Sequence, residues 1–185
     1  MINTKKLTLS AIFIALSTVL SLITIIKMPM GGTVTPFSML PVILLAIIYG
    51  TPWGLFCCFV YAIIQLALGL SDILSWGLTP AVLIGSIILD YLVPFTLLGL
   101  AGVFRKKGAI GIIGGTVMVV FIRFCCHFLS GYILFATFAD NMTPFVYSLV
   151  YNGSYMLPEL ILTTLGAFVL YQTKALEKIL NLTAQ

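Results

Sequence analysis

Arg123, His127, Gly131 and Phe135 recur every fourth residue within the stretch RFCCHFLSGYILF. On a helix that spacing gathers them into one slowly drifting stripe. The stripe offers a guanidinium, the chain's only imidazole, a bare patch of backbone and an aromatic ring. These groups bind rather than break bonds: glycine admits a flat ligand close to the helix, while ring and imidazole supply stacking and hydrogen bonds. Asp90 and Tyr91 end a second apolar approach, ILDYLVP, and Tyr147, Tyr151 and Tyr155 repeat at four-residue spacing around Asn152 in VYSLVYNGSYMLPE. A pocket holding a carboxylate, a histidine, a primary amide and several rings suits a small, planar, nitrogen-rich, cationic ligand. A cation over an aromatic face gains about 0.5–2 kcal/mol, and a carboxylate accepts from an amine.

Asp90, Arg123, His127 and Glu159 are ionisable residues set inside apolar stretches. A charge at mid-span costs about 2.5–3.5 kcal/mol on insertion scales, so such groups turn to the protein interior and mark a ligand or ion pathway. Each has a plainer reading. Asp90 and Arg123 can form an ion pair that fixes helix register, and Glu159, after Pro158, can solvate backbone groups freed by the proline kink. Gly131 can serve helix packing, Phe135 can face lipid, and Asn152 can bond a neighbouring helix. The tyrosines can form an interfacial belt.

Other chemistries are disfavoured. Cys57/Cys58 and Cys125/Cys126 are adjacent pairs, where a disulfide is strained, so they read as small buried hydrophobes. Cys125, Cys126 and His127 cannot converge on one metal, because consecutive helical residues point about 100° apart. Ser130 and Ser154 near His127 raise the idea of an intramembrane hydrolase, but there is no GxSxG elbow and no HExxH. There is also no GxxxxGK[ST] phosphate loop, so ATP hydrolysis by that route is excluded. The expectation is a binding protein, not an enzyme, without cofactor or metal.

The elements that must position these groups are membrane helices. The chain of 185 residues is 61% hydrophobic and 8% charged, with mean hydropathy +1.20, far outside the soluble range. Apolar stretches at about 7–26, 37–49, 53–70, 79–104, 109–138 and 144–172 predict an all-α bundle of six transmembrane helices forming a single domain over 1–185. The second stretch is short and holds Pro41, so it spans only with tilt or bilayer thinning. The first, behind Lys5 and Lys6, is too long for a signal peptide's apolar core and reads as a retained span. Lys5 and Lys6, Arg105 to Lys107, and Lys174 with Lys178 then share one face, cytoplasmic by the positive-inside rule, with both termini there. Gly50 to Pro52 becomes a tight turn on that face, and 27–36, 71–78 and 139–143 face outward, with Lys27 a lone exception. The net charge of +4 sets topology and gives no ground for a nucleic-acid partner.

PMGGTVT at 29–35, LDYLVP at 89–94, RFCCHFLSGYILFATFA at 123–139 and VYSLVYNGSYMLP at 146–158, in that order, resemble the thiamine-specific S component (ThiT/YuaJ family) of energy-coupling-factor vitamin transporters. The resemblance implies a bacterial plasma-membrane subunit that captures thiamine outside the cell. It also implies docking on a transmembrane coupling subunit with two cytoplasmic ATPases, and toppling in the bilayer for release. By resemblance, Asp90 takes the acidic position and Tyr91 the adjoining tyrosine. His127, Gly131 and Phe135 take the helix-five ligand face, Arg123 the basic position one turn before, Tyr147 and Asn152 the helix-six contacts, and Tyr61 a span-three aromatic. Some members have glutamate at the position of Asp90. Others have tryptophan at Phe135 and in the first outer loop, for which Trp76 or Phe37 can substitute. Gly31 and Gly32 in that loop permit either a lid or a turn. Ala11 and Ala15 match a small-residue pattern that contacts the coupling subunit. The alternatives are an S component for another vitamin or a thiamine precursor, and a solitary proton-coupled carrier using Asp90 and His127. Absence of evident inverted repeats weighs against the carrier.

Overall fold

The computed structural model describes residues 4–29, 31–174 and 179, so Lys178 and the Met30 of the PMGGTVT stretch lie outside the described residues. The long helices are α1 (Thr4–Leu22), α3 (Thr51–Ser75), α4 (Pro80–Phe104), α5 (Gly108–Ile133) and α6 (Pro144–Gln172), each long and apolar enough to cross a bilayer. Their starts follow local rules. Pro52, Pro80 and Pro144 occupy the first turns of α3, α4 and α6, where a missing N–H costs nothing. The Thr79 and Thr143 side chains cap α4 and α6 by accepting from the N–H groups of Val82 and Val146 at 3.4 and 3.3 Å.

The predicted second span holds a helix shorter than the other five. Helix α2 (Leu40–Tyr49) has ten residues, about 15 Å of helix against about 30 Å of hydrocarbon. Eight of the ten are buried against α1, α3 and the C-terminal part of α4, which explains why it is apolar all round. The residues before it are not helical. Ile26–Lys27 (β1) and Thr33–Val34 (β2) pair antiparallel, with Ile26 opposite Val34 and Lys27 opposite Thr33. The all-α bundle thus carries one small hairpin, whose loop turns on Gly31 and Gly32 at φ +82° and +76°.

Two ends are distinct. At one, Gly50 at φ +89° joins α2 to α3, Arg105 packs against it, and Lys6 Nζ lies 4.0 Å from the Trp53 ring centroid. A basic residue in the first turn of α1 and one just after α4 thus meet at the α2–α3 turn. The hairpin belongs to the other end, where Lys27, the lone exception to the charge pattern, pairs with Asp72 at 3.3 Å.

Helix α4 changes pitch along its length: α-helical over Pro80–Ser86, π-helical over Ile87–Leu92, α-helical again over Val93–Thr96 and 3-10 over Leu97–Phe104. Pro94 cannot donate to the carbonyl of Asp90 and crowds it, and the preceding wide turn, with the Val93 N–H bonded to the Ile88 carbonyl, absorbs the misfit.

Candidate functional site

A cavity of about 330 Å³ lies between the hairpin and helices α3, α4, α5 and α6. Its volume matches that of a small-molecule site. The π turn brings Asp90 and Tyr91 to it together, although they are consecutive residues. Helix α5 contributes Arg123, His127 and Gly131, with Phe135 just beyond its end, so the stripe read from the sequence lines one wall. Helix α6 contributes Tyr147, Tyr151, Asn152 and Tyr155, and Trp76 closes α3 beside it.

Asp90 sits at the centre of a polar chain. Its Oδ2 accepts from the hydroxyls of Ser86 and Ser130, both at 2.6 Å, and its Oδ1 lies 3.0 Å from His127 Nδ1. Arg123 Nε donates to His127 Nε2 at 3.2 Å. An arginine can only donate, so Nε2 is the acceptor and Nδ1 carries the proton that faces Asp90. The guanidinium completes its surroundings with Met39 Sδ at 2.8 Å and the face of Phe95 at 4.3 Å. Asp90 and Arg123 are therefore joined through the imidazole rather than paired directly.

The opposite wall is amide and rings. Asn152 Nδ2 donates to the Ser148 carbonyl and hydroxyl at 2.9 and 3.1 Å, and its Oδ1 accepts from the Tyr155 hydroxyl at 2.9 Å. Gly131 serves the cavity and the packing at once, because a Cβ there would lie 2.5 Å from Ser148 Oγ and 2.9 Å from Asn152 Nδ2. Trp76 meets Phe135 edge to face at 6.3 Å, and Tyr147 stacks on Tyr151 at 5.7 Å.

Of the predicted binding residues, Tyr61 does not reach the cavity. It is 0% exposed in the core, edge-on to Phe95 at 5.4 Å, with its hydroxyl toward the Ser17 carbonyl. Between the two aromatic substitutes considered, Trp76 lines the cavity, whereas Phe37 lies in a separate apolar groove between α1, α2 and α6. Ser86 escaped sequence reading, although it precedes Asp90 by one helical turn and that spacing was a usable signal, and Ser130, weighed only as a hydrolase serine, holds Asp90 instead. Glu159 does not solvate the kink at Pro158: its Oε1 accepts from the backbone N–H and hydroxyl of Thr35 instead. All four cysteines are free, and no group of three metal-capable side chains occurs among the described residues.

Residues 7–179 match the family described as Thiamine transporter protein (Thia_YuaJ). The chain belongs to the thiamine transporter family. It is 31% identical to the thiamine transporter ThiT of Bacillus subtilis (strain 168), over 88% of each chain. A solved structure of ThiT from Listeria monocytogenes superposes with a TM-score of 0.73 at 20% identity, covering 91% of this chain and 93% of that one. The second likeness speaks for the fold, an all-α multi-pass membrane bundle. As a thiamine transporter family member the chain is a transport protein and not an enzyme.

Proposed function

We propose that this chain is the membrane-embedded substrate-binding component of an energy-coupling-factor transporter, and that its cavity captures thiamine from outside the cell. One observation carries the reading: Asp90, His127 and Asn152, from three different helices, share a single cavity with Trp76, Phe135, Tyr147 and Tyr151. Thiamine offers an aminopyrimidine to hydrogen-bonding groups and a cationic thiazolium to aromatic faces, and the cavity has both. Asp90, Tyr91, Arg123, His127, Gly131, Phe135, Tyr147 and Asn152 are the proposed contacts.

Orientation follows from charge. The end where Lys6 and Arg105 gather is cytoplasmic by the positive-inside rule, which sets the hairpin and cavity on the outer side. With no phosphate loop in the chain, the energy for uptake comes from elsewhere: a transmembrane coupling subunit bearing two ATPases. Titration of the purified protein with thiamine, its phosphates and the free aminopyrimidine tests the reading. Thiamine should bind most tightly, with affinity lost when the thiazolium is removed. Equal affinity for the bare pyrimidine would point to a precursor instead. Concentrative uptake by proteoliposomes holding this chain alone would defeat the coupled mechanism.

A further inference from the structure

Glu159 is 1% exposed inside α6 and lines no part of the cavity. A buried carboxyl side chain in a membrane helix is costly and persists where something specific uses it. Here the user is the segment leaving the hairpin. Thr35, directly after β2, donates its backbone N–H to Glu159 Oε1 at 2.5 Å and its hydroxyl to the same oxygen at 2.7 Å. The Thr35 hydroxyl also meets that of Ser38 at 2.6 Å, and both residues are buried. Glu159 Oε2 has no hydrogen-bond partner. One acceptor oxygen thus does all the bonding.

The attachment is part of a line. Tyr151, Tyr155 and Glu159 follow at four-residue spacing on one face of α6, and each holds a different part of the hairpin segment. The Tyr151 hydroxyl donates to the Gly31 carbonyl at 2.9 Å, and the Tyr155 ring fills the space a side chain at Gly32 would need. Gly31, Gly32 and Thr33 in turn line the cavity, as do both tyrosines, whereas Glu159 stands behind the wall.

We infer that Glu159 is a positioning residue for substrate retention: by gripping Thr35 it latches the β1–β2 hairpin against the cavity and sets how fast the bound ligand leaves. The inference rests on the cavity holding thiamine, but its structural half does not, because the grip on the hairpin is made by protein groups alone.

The experiment has two arms, both on the full chain. In the first, release of labelled thiamine is timed for E159L, E159Q, T35V and T35S. E159L removes two buried hydrogen bonds and should speed release at least about tenfold, with the association rate within about twofold. E159Q keeps an acceptor oxygen and should release within about twofold of the parent, because the bonds need an acceptor and not a charge. T35V keeps the backbone N–H bond but loses the hydroxyl's contacts with Glu159 and Ser38, and it should speed release several-fold, whereas T35S should not. The Thr35 pair decides the matter should E159L fail to fold. In the second arm, W53F leaves Trp76 as the sole tryptophan, and its ring lies against Gly31. Acrylamide quenching of ligand-free W53F should rise when E159L is added and return with E159Q. Unchanged release in T35V and E159L, or E159Q behaving as E159L does, would overturn the latch. Failure of the parent protein to bind thiamine would overturn the functional reading instead, and the quenching arm would still judge the latch.

Discussion

Asp90 receives three hydrogen bonds from protein donors, which leaves room at the carboxylate for one more from a ligand. Its worth to a cationic ligand lies in charge as well as in that remaining acceptor position. Asp90→Asn removes the charge and places an NH₂ group either against the two serine hydroxyls or against the His127 N–H. Thiamine affinity should fall about 10-fold to 100-fold, in line with a charged hydrogen bond of about 1.5–3 kcal/mol, and isothermal titration reads it directly. An unchanged affinity would reassign Asp90 to bracing α4 against α5. Ser86 and Ser130 aim the same carboxylate from two helices. Their contribution is geometric, since each donates to Oδ2 while His127 holds Oδ1.

Among the elements, those whose periodicity is local were legible in the sequence. Arg123, His127 and Gly131 lie on one helix with Phe135 just past its end, so their spacing alone placed them on one wall. What depends on distant partners was not legible. The hairpin rests on two residues per strand and on tyrosines more than a hundred positions away, and the Thr35–Glu159 contact spans 124 residues. The shortness of α2 was legible but its burial was not, because a fully buried helix and a lipid-facing one share the same apolar composition. The π turn left one trace, Pro94 four residues after Asp90, but propensity does not distinguish a wide turn from a kink. Close approach of α5 and α6 is the element-level feature most open to test. Gly131→Ala would push a methyl group into Ser148 Oγ, whose hydroxyl is held by the Phe128 carbonyl at 2.6 Å. The helices must part or Asn152 must move. Ligand-free stability should drop by about 1–3 kcal/mol and thiamine affinity should drop with it, read by thermal melting and titration. A full-strength binder with an unshifted melting temperature would show that the helix contact yields freely.

For the molecule as a whole, the proposed function has binding at one end and drive through a surface that lies away from the cavity. Helix α1 is the element most open to a partner. It turns Ser10 and Ser17 inward, where Ser10 accepts from Trp53 Nε1 at 2.9 Å, and leaves Ala11, Ile12, Ala15, Leu16 and Val19 outward. Small residues one turn apart let another helix approach closely, and the surrounding large apolar residues give it area to cover. Lipid would cover that face just as well, so exposure alone does not choose between lipid and a coupling subunit. Function does. Replacing Ala11 and Ala15 with tryptophan adds bulk on the exposed side only, where lipid yields and a close-packed helix cannot. Thiamine binding in detergent should stay at the parent level, because neither residue lines the cavity, while ATP-driven uptake in the reconstituted complex should be abolished. Uptake at the parent rate would mean that the partner docks elsewhere on the bundle. Loss of binding would mean that α1 shapes the site through Ser21 and Leu22, which reach the cavity from its C-terminal end.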